Sequence, residues 1–138
     1  MNYKDAIAAM RLYFENYWKV AVVPAVPVAY DDKKFTKPTK KPWVRFTIQH
    51  ADGFQASIGA PSSNFFRRRG IITAQIFCPE DDGSVEARKL ADFVVEAYIG
   101  KDIPGFLYYD VTIVEVGNDN AGWYQINVKV NFEYDNIA

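Results

Sequence analysis

Few residues of this chain have the chemistry for catalysis. His50 is its one histidine and Cys78 its one cysteine. Nucleophilic catalysis needs a base beside the nucleophile, and only His50 offers an imidazole. It falls at the end of a strand pattern, beside Ala51 and Asp52, and reads as a structural or solvated position. Cys78 falls on the apolar side of its own strand pattern and reads as core. Asp81 and Asp82 in "PEDDGS" are acids that suit a cation, but the segment lacks the further ligands of a calcium loop and reads as a turn before a helix. One histidine and one cysteine are too few for a structural zinc site, and no internal disulfide is possible. No glycine loop of the GxGxxG or GxxxxGK[ST] type is present. The expectation is a protein that is not an enzyme and holds no metal or cofactor.

The other concentrated chemistry is cationic. "NFFRRRGIITAQIF", residues 64 to 77, places Phe65 and Phe66 before Arg67, Arg68 and Arg69. The planar guanidinium grips phosphate or carboxylate through paired hydrogen bonds, and neighbouring phenylalanines can stack on bases. Three destinations follow: nucleic acid, the acids of a neighbouring subunit, or solvent at a strand end. Residues 33 to 78 carry nine Lys/Arg against one acid, Asp52, while residues 79 to 138 carry twelve acids against four bases. Nucleic-acid binders are commonly net basic, whereas this chain has net charge −1 and a pI near 5.8. The preferred destination is therefore a neighbouring copy, whose acid-rich second half could meet the basic first half. Such heterologous contacts build rings when the rotation closes. Folding could also interleave the two halves and cancel the field.

The elements that must position these groups follow from pattern. The chain has 138 residues with 49% hydrophobic and 16% aromatic content, which suits a single domain over 1–138. No run of about 18 apolar residues suggests a membrane helix. The N-terminus lacks a signal-peptide layout, and the lone cysteine fits synthesis in a reducing cytoplasm. "NYKDAIAAMRLYFENYWKV" predicts a first helix, capped by Asn2, with Ile7, Met10, Phe14 and Trp18 as its buried stripe; Pro24 and Pro27 end it. Val26 to Tyr30 fits a short edge strand. Residues 31 to 42 form an exposed basic loop carrying Lys33, Lys34, Lys37, Lys40 and Lys41, stiffened by Pro38 and Pro42.

"WVRFTIQH" alternates as a strand, and "ADGFQASIGAPSS" reads as a loop with a possible short strand near Phe54 to Ile58. The arginine segment leads into a strand whose Ile72, Ala74, Ile76 and Cys78 share a face. Gly70 within it signals a bulge or a close backbone approach. Ser84 is the expected cap of a second helix with Ala87, Leu90, Ala91, Val94 and Tyr98 buried, ending at Gly100. "GFLYYDVTIVEVG", apolar on nearly both faces, and the alternating "GWYQINVKVNFEYD" form a closing hairpin. The fold class is α+β: a mostly antiparallel sheet with two helices packed on one face. The other face, with Trp43, Arg45, Trp123, Gln125 and Lys129, is a candidate assembly surface.

Tyr30, Asp31 and Phe35, then "KPWVRFTI" (41 to 48), "RRRGIITAQIFCPEDDGSVEARKLAD" (67 to 92) and "WYQINVKVNFEYD" (123 to 135), in that order, resemble the tail-terminator proteins of long-tailed bacteriophages. The resemblance implies a structural virion subunit forming a homohexameric ring on the head-proximal end of the tail tube. It implies three partners: further copies of itself, the tail-tube protein and the head-tail connector. The ring would stop tube growth, and DNA passing through its lumen would make at most transient, non-specific contact. The arm with Arg67 to Arg69, Phe65 and Phe66 would reach the lumen or a neighbour. Two other readings stay open: another neck or connector component, and a small nucleic-acid-binding module using the basic region from 33 to 69.

Overall fold

A computed structural model describes residues 1–81 and 83–138; Asp82, half of the acid pair weighed above, lies outside the described residues. The chain runs α1 (Tyr3–Ala21), β1 (Val28–Tyr30), β2 (Trp43–Gln55), β3 (Phe65–Pro79), α2 (Gly83–Tyr98), β4 (Leu107–Asn118) and β5 (Trp123–Ile137). The strands form one sheet in the order β1-β2-β3-β5-β4. β1 runs parallel to β2, and the other pairings are antiparallel. Both helices pack on one face, the expected α+β arrangement.

α1 starts where the side chain of Asn2 accepts a hydrogen bond from the Asp5 amide at 2.8 Å. Asp5 in its first turn and Lys19 in its last both complement the helix dipole. Its buried stripe is Ala6, Met10, Phe14 and Trp18. Ala6 takes the place expected for Ile7, because the stripe keeps a four-residue step and leaves Ile7 half a face round. Phe14 stacks on Phe46 of β2 with ring centroids 4.4 Å apart, which seats the helix on the sheet. α2 begins at Gly83, so Ser84 lies inside the first turn instead of capping it. The close fit to β5 sets that start: a Cβ on Gly83 would stand 2.7 Å from Cβ of Tyr124.

Of the segment read as a loop with a short strand near Phe54 to Ile58, residues 51–55 are a continuation of the preceding strand and 56–64 are loop. β2 continues to Gln55, and Gly53, Phe54 and Gln55 pair with Arg68, Arg67 and Phe66. The register shifts between His50 and Gly53, where Ala51 and Asp52 together oppose Arg69. This bulge restores alternation, so Phe54 shares a face with Arg67 and Arg69. Gly70 is the close approach: the Phe132 ring and the Gln49 carbonyl both occupy the space a side chain would need. Alternate residues of β3 and β5, from Ile72 to Cys78 and from Ile126 to Tyr134, form the core with the helices. No helix among the described residues is long and apolar enough to cross a membrane.

Candidate functional site

Beyond Gly70 the core stops, and no residue from Phe65 to Arg69 is buried. β2, β3 and β5 continue there as a three-stranded arm. Arg67 Nε and Nη2 donate to the two carboxylate oxygens of Asp135 at 2.8 and 3.1 Å. These bonds hold the Asp135 carboxyl below the usual carboxylate range. Arg69 donates to Asp52 at 2.7 Å and lies over the Phe54 ring at 5.1 Å. Two members of the triplet thus find acids within their own chain. Arg68 points to the opposite face, is exposed, and meets no acid within salt-bridge distance among the described residues. Phe65 is exposed and Phe66 half-buried.

The helix-free face holds a second, small core. Trp43, Phe77, Trp123 and Ala29 are buried there, with Phe35 of the basic loop packed on them. Trp43 stacks on Phe77 at 4.3 Å, and Phe35 lies 5.5 Å from Trp43. Lys37 lies over the Trp123 ring at 5.3 Å, and Arg45 over Trp43 at 5.3 Å. Both tryptophans lie on the expected face, but at 5% and 8% exposure they anchor the loop and are not themselves open surface. Beside them the face carries half-buried amides and hydroxyls, Thr47, Thr73, Gln75, Asn127 and Asn131, with the exposed Lys129 among them. Gln125 donates to Asn127 at 2.9 Å on this face.

The five loop lysines are exposed, and none lies within salt-bridge distance of an acid among the described residues. Asp31 and Asp32, which precede them, are both held by Arg11 at 2.7 and 2.6 Å and turn towards α1. At the other end of the sheet, β4 is an edge strand. It exposes Leu107, Ile113, Val114 and Val116 by 37 to 54%. These residues were missing from the sequence-derived candidates. Their signal was visible in "VTIVEV": a strand apolar on both faces is either central or an interface, and only strand order separates the two.

His50 sits where the arm leaves the body. Its Nε2 is 2.7 Å from the Tyr134 hydroxyl, and its ring meets Phe132 edge-on at 5.2 Å. Tyr3 of α1 covers it at 4.6 Å. Burial, and then the charge of Arg68, push the imidazole below its ordinary value of 6.5. Above that value both folded and unfolded states are neutral, and the contribution to stability is complete. As the pH falls through it, the unfolded chain takes the proton first and stability is lost. Urea midpoints measured from pH 8 to pH 5 should therefore fall, and His50→Gln should flatten that slope. An equal slope in the variant would assign the loss to other groups.

Among the described residues no serine, threonine or cysteine hydrogen-bonds His50, whose Nε2 partner is the Tyr134 hydroxyl. Burial, and then Glu86, push the Cys78 thiol up to about 12, so it remains a core thiol. No group of three metal-ligating side chains occurs among the described residues. An open hollow of about 840 Å³ lies between the basic loop and the turn before α2. Lys37, Lys40, Glu80, Asp81 and Glu86 line it with mixed charge, and Trp123 forms a wall. This arrangement suits contact between surfaces better than bond-making.

Comparison with known proteins bears on the same question. A family model described as "Phage tail terminator protein" matches residues 6–132. No curated protein matches the chain in sequence. One solved structure superimposes with a TM-score of 0.64, covering 94% of this chain and 95% of that one at 19% identity. At that identity the likeness is one of fold.

Proposed function

We infer that this chain, which belongs to the phage tail terminator protein family, ends the tail tube as a ring of six copies at its head-proximal end. Membership gives it a structural role in the phage tail, a place in the virion, and partners among tail and head components. In the proposed role the ring stops tube polymerisation and offers the surface on which the head-tail connector docks. One observation carries the reading: the match runs from within α1 to Phe132 in β5, so the family pattern spans every element of the fold. The geometry is compatible with it, because the surfaces left over after folding are an open edge, a helix-free face of half-buried amides and a projecting arm. The nucleic-acid reading is weakened by the intrachain pairing of Arg67 and Arg69, and keeps the loop lysines and Arg68.

Purified chain added to tail tubes growing from their subunit should cap one end and halt lengthening. Negative-stain images should show a ring-sized density on one tube end only. Tubes that grow to the same lengths with and without the chain would overturn the reading. Binding to the portal but never to tube ends would move the chain to a different neck position.

A further inference from the structure

Two stretches of this chain carry charge of one sign only. Residues 33–49 hold six bases and no acid: Lys33, Lys34, Lys37, Lys40, Lys41 and Arg45. Residues 102–128 hold four acids and no base: Asp102, Asp110, Glu115 and Asp119. The two meet where Lys37 lies over Trp123, but no base of one forms a salt bridge with an acid of the other among the described residues. The first comprises the loop after β1 and the first half of β2, and the second includes β4, at the opposite end of the strand order. The β4 acids find little compensation nearby. Glu115 meets Arg88 at 3.4 Å with both side chains more than half exposed, and among the described residues the Asp110 carboxylate accepts from the Asn131 side-chain amide at 3.5 Å and from no cation.

We propose that the acidic, apolar flank of β4 on one copy seats against the basic 33–49 segment of the next copy. This deepens the ring reading and rests on it. Charge complementarity selects a second copy as the occupant. β4, at the sheet edge, also exposes more aliphatic side chains than any other strand, Ile113, Val114 and Val116 among them, beside those acids. An edge strand with such a row is unstable against association unless something covers it. The basic segment is already held in shape for the contact, since Phe35 and Lys37 are seated on Trp43 and Trp123. Little conformational entropy is then lost on docking. Because the β4 flank and the basic segment are different surfaces of one copy, joining the first to the second on the next copy is a heterologous contact, the geometry of rings. The Arg67 and Arg69 pairs stay intact within each copy.

The test uses two charge-reversal variants, Glu115→Lys with Thr112→Lys on β4, and Lys33→Glu with Lys34→Glu on the loop. All four positions are exposed, so circular dichroism and urea midpoints should match the wild type. Mass by light scattering at low salt, and ring counts on tube ends, then read assembly. Each variant alone should lose association at least tenfold. An equimolar mixture should recover it, because alternating copies pair each reversed surface with its complement and six is an even number. Raising the salt should weaken wild-type association, since these charges lie at the surface. Wild-type rings together with full rings from each single variant would overturn the contact and leave the ring reading standing. Absence of wild-type rings, both free and on tubes, would sink the ring reading and this contact together. Loss of duplex DNA binding in the loop variant, with its rings intact, would assign the lysines to nucleic acid and overturn the proposal.

Discussion

Gly70→Ala is expected to cost the fold at least about 3 kcal/mol, at the upper end of what overpacking a core costs. The added Cβ would stand 2.2 Å from the Gln49 carbonyl oxygen and 2.5 Å from Cζ of Phe132. Neither obstacle is the free end of a flexible chain. The carbonyl belongs to β2 directly opposite, and Phe132 is fully buried between His50 and Tyr134. To make room, β2 must move away from β3 at the base of the arm. Domains of this size hold only about 5–15 kcal/mol in total, so one methyl would remove a large fraction of it. Urea unfolding of wild type and variant measures the loss. Phe132→Leu added to Gly70→Ala should restore only part of it, because the carbonyl clash remains. A Gly70→Ala midpoint within error of the wild type would show that β2 gives way freely, and the arm would then have to be regarded as loosely attached.

Trp43→Ala should cost a similar amount, about 3–5 kcal/mol for a large buried aromatic, and should do so in a distinctive way. Trp43 joins Phe77, Trp123 and Arg45 on the sheet to Phe35 on the loop. Removing it leaves Phe35 without a seat, so residues 31 to 42 should loosen while the helix side of the core stays packed. Trypsin under native conditions should then cut after Lys33, Lys34 and Lys40, the loop lysines not followed by proline, at least several-fold faster than in the wild type. Trp43→Phe is the control. It keeps an aromatic against Phe77 and removes an indole Nε1 that is buried without a partner among the described residues. It should retain most of the stability and the protease resistance, since an unpaired buried donor carries its own desolvation cost. Equal cutting in wild type and Trp43→Ala would mean that the loop is held elsewhere, and the pre-shaped basic segment would lose its physical basis.

These two positions also mark the boundary between what the sequence discloses and what it conceals. Gly70 was readable as a special position, since a glycine inside an apolar alternation signals either a bulge or a close approach. Which of the two applied depended on Phe132, far along the chain, and the bulge itself fell on the facing strand at Ala51 and Asp52. Trp43 was readable as a residue of the helix-free face. Its burial depended on a loop with no periodicity of its own folding back over it.

Composition and local pattern by themselves determined the two helices, the alternation of β3 and β5, the closing hairpin and the α+β class. Each of these depends on residues within a turn or a strand of one another, where apolar spacing dictates burial directly. The ordered segments from Tyr30 to Asp135 also sufficed for the family resemblance that the match over residues 6–132 bears out. Tertiary structure alone decided the rest. It paired Arg67 with Asp135, 68 residues away, and Arg69 with Asp52 across a bulge. It placed β5 between β3 and β4, and so left the doubly apolar β4 at the edge instead of the centre. Strand order and cross-strand partners are settled by competition among all the pairings the chain can make, and no window of neighbouring residues contains that competition.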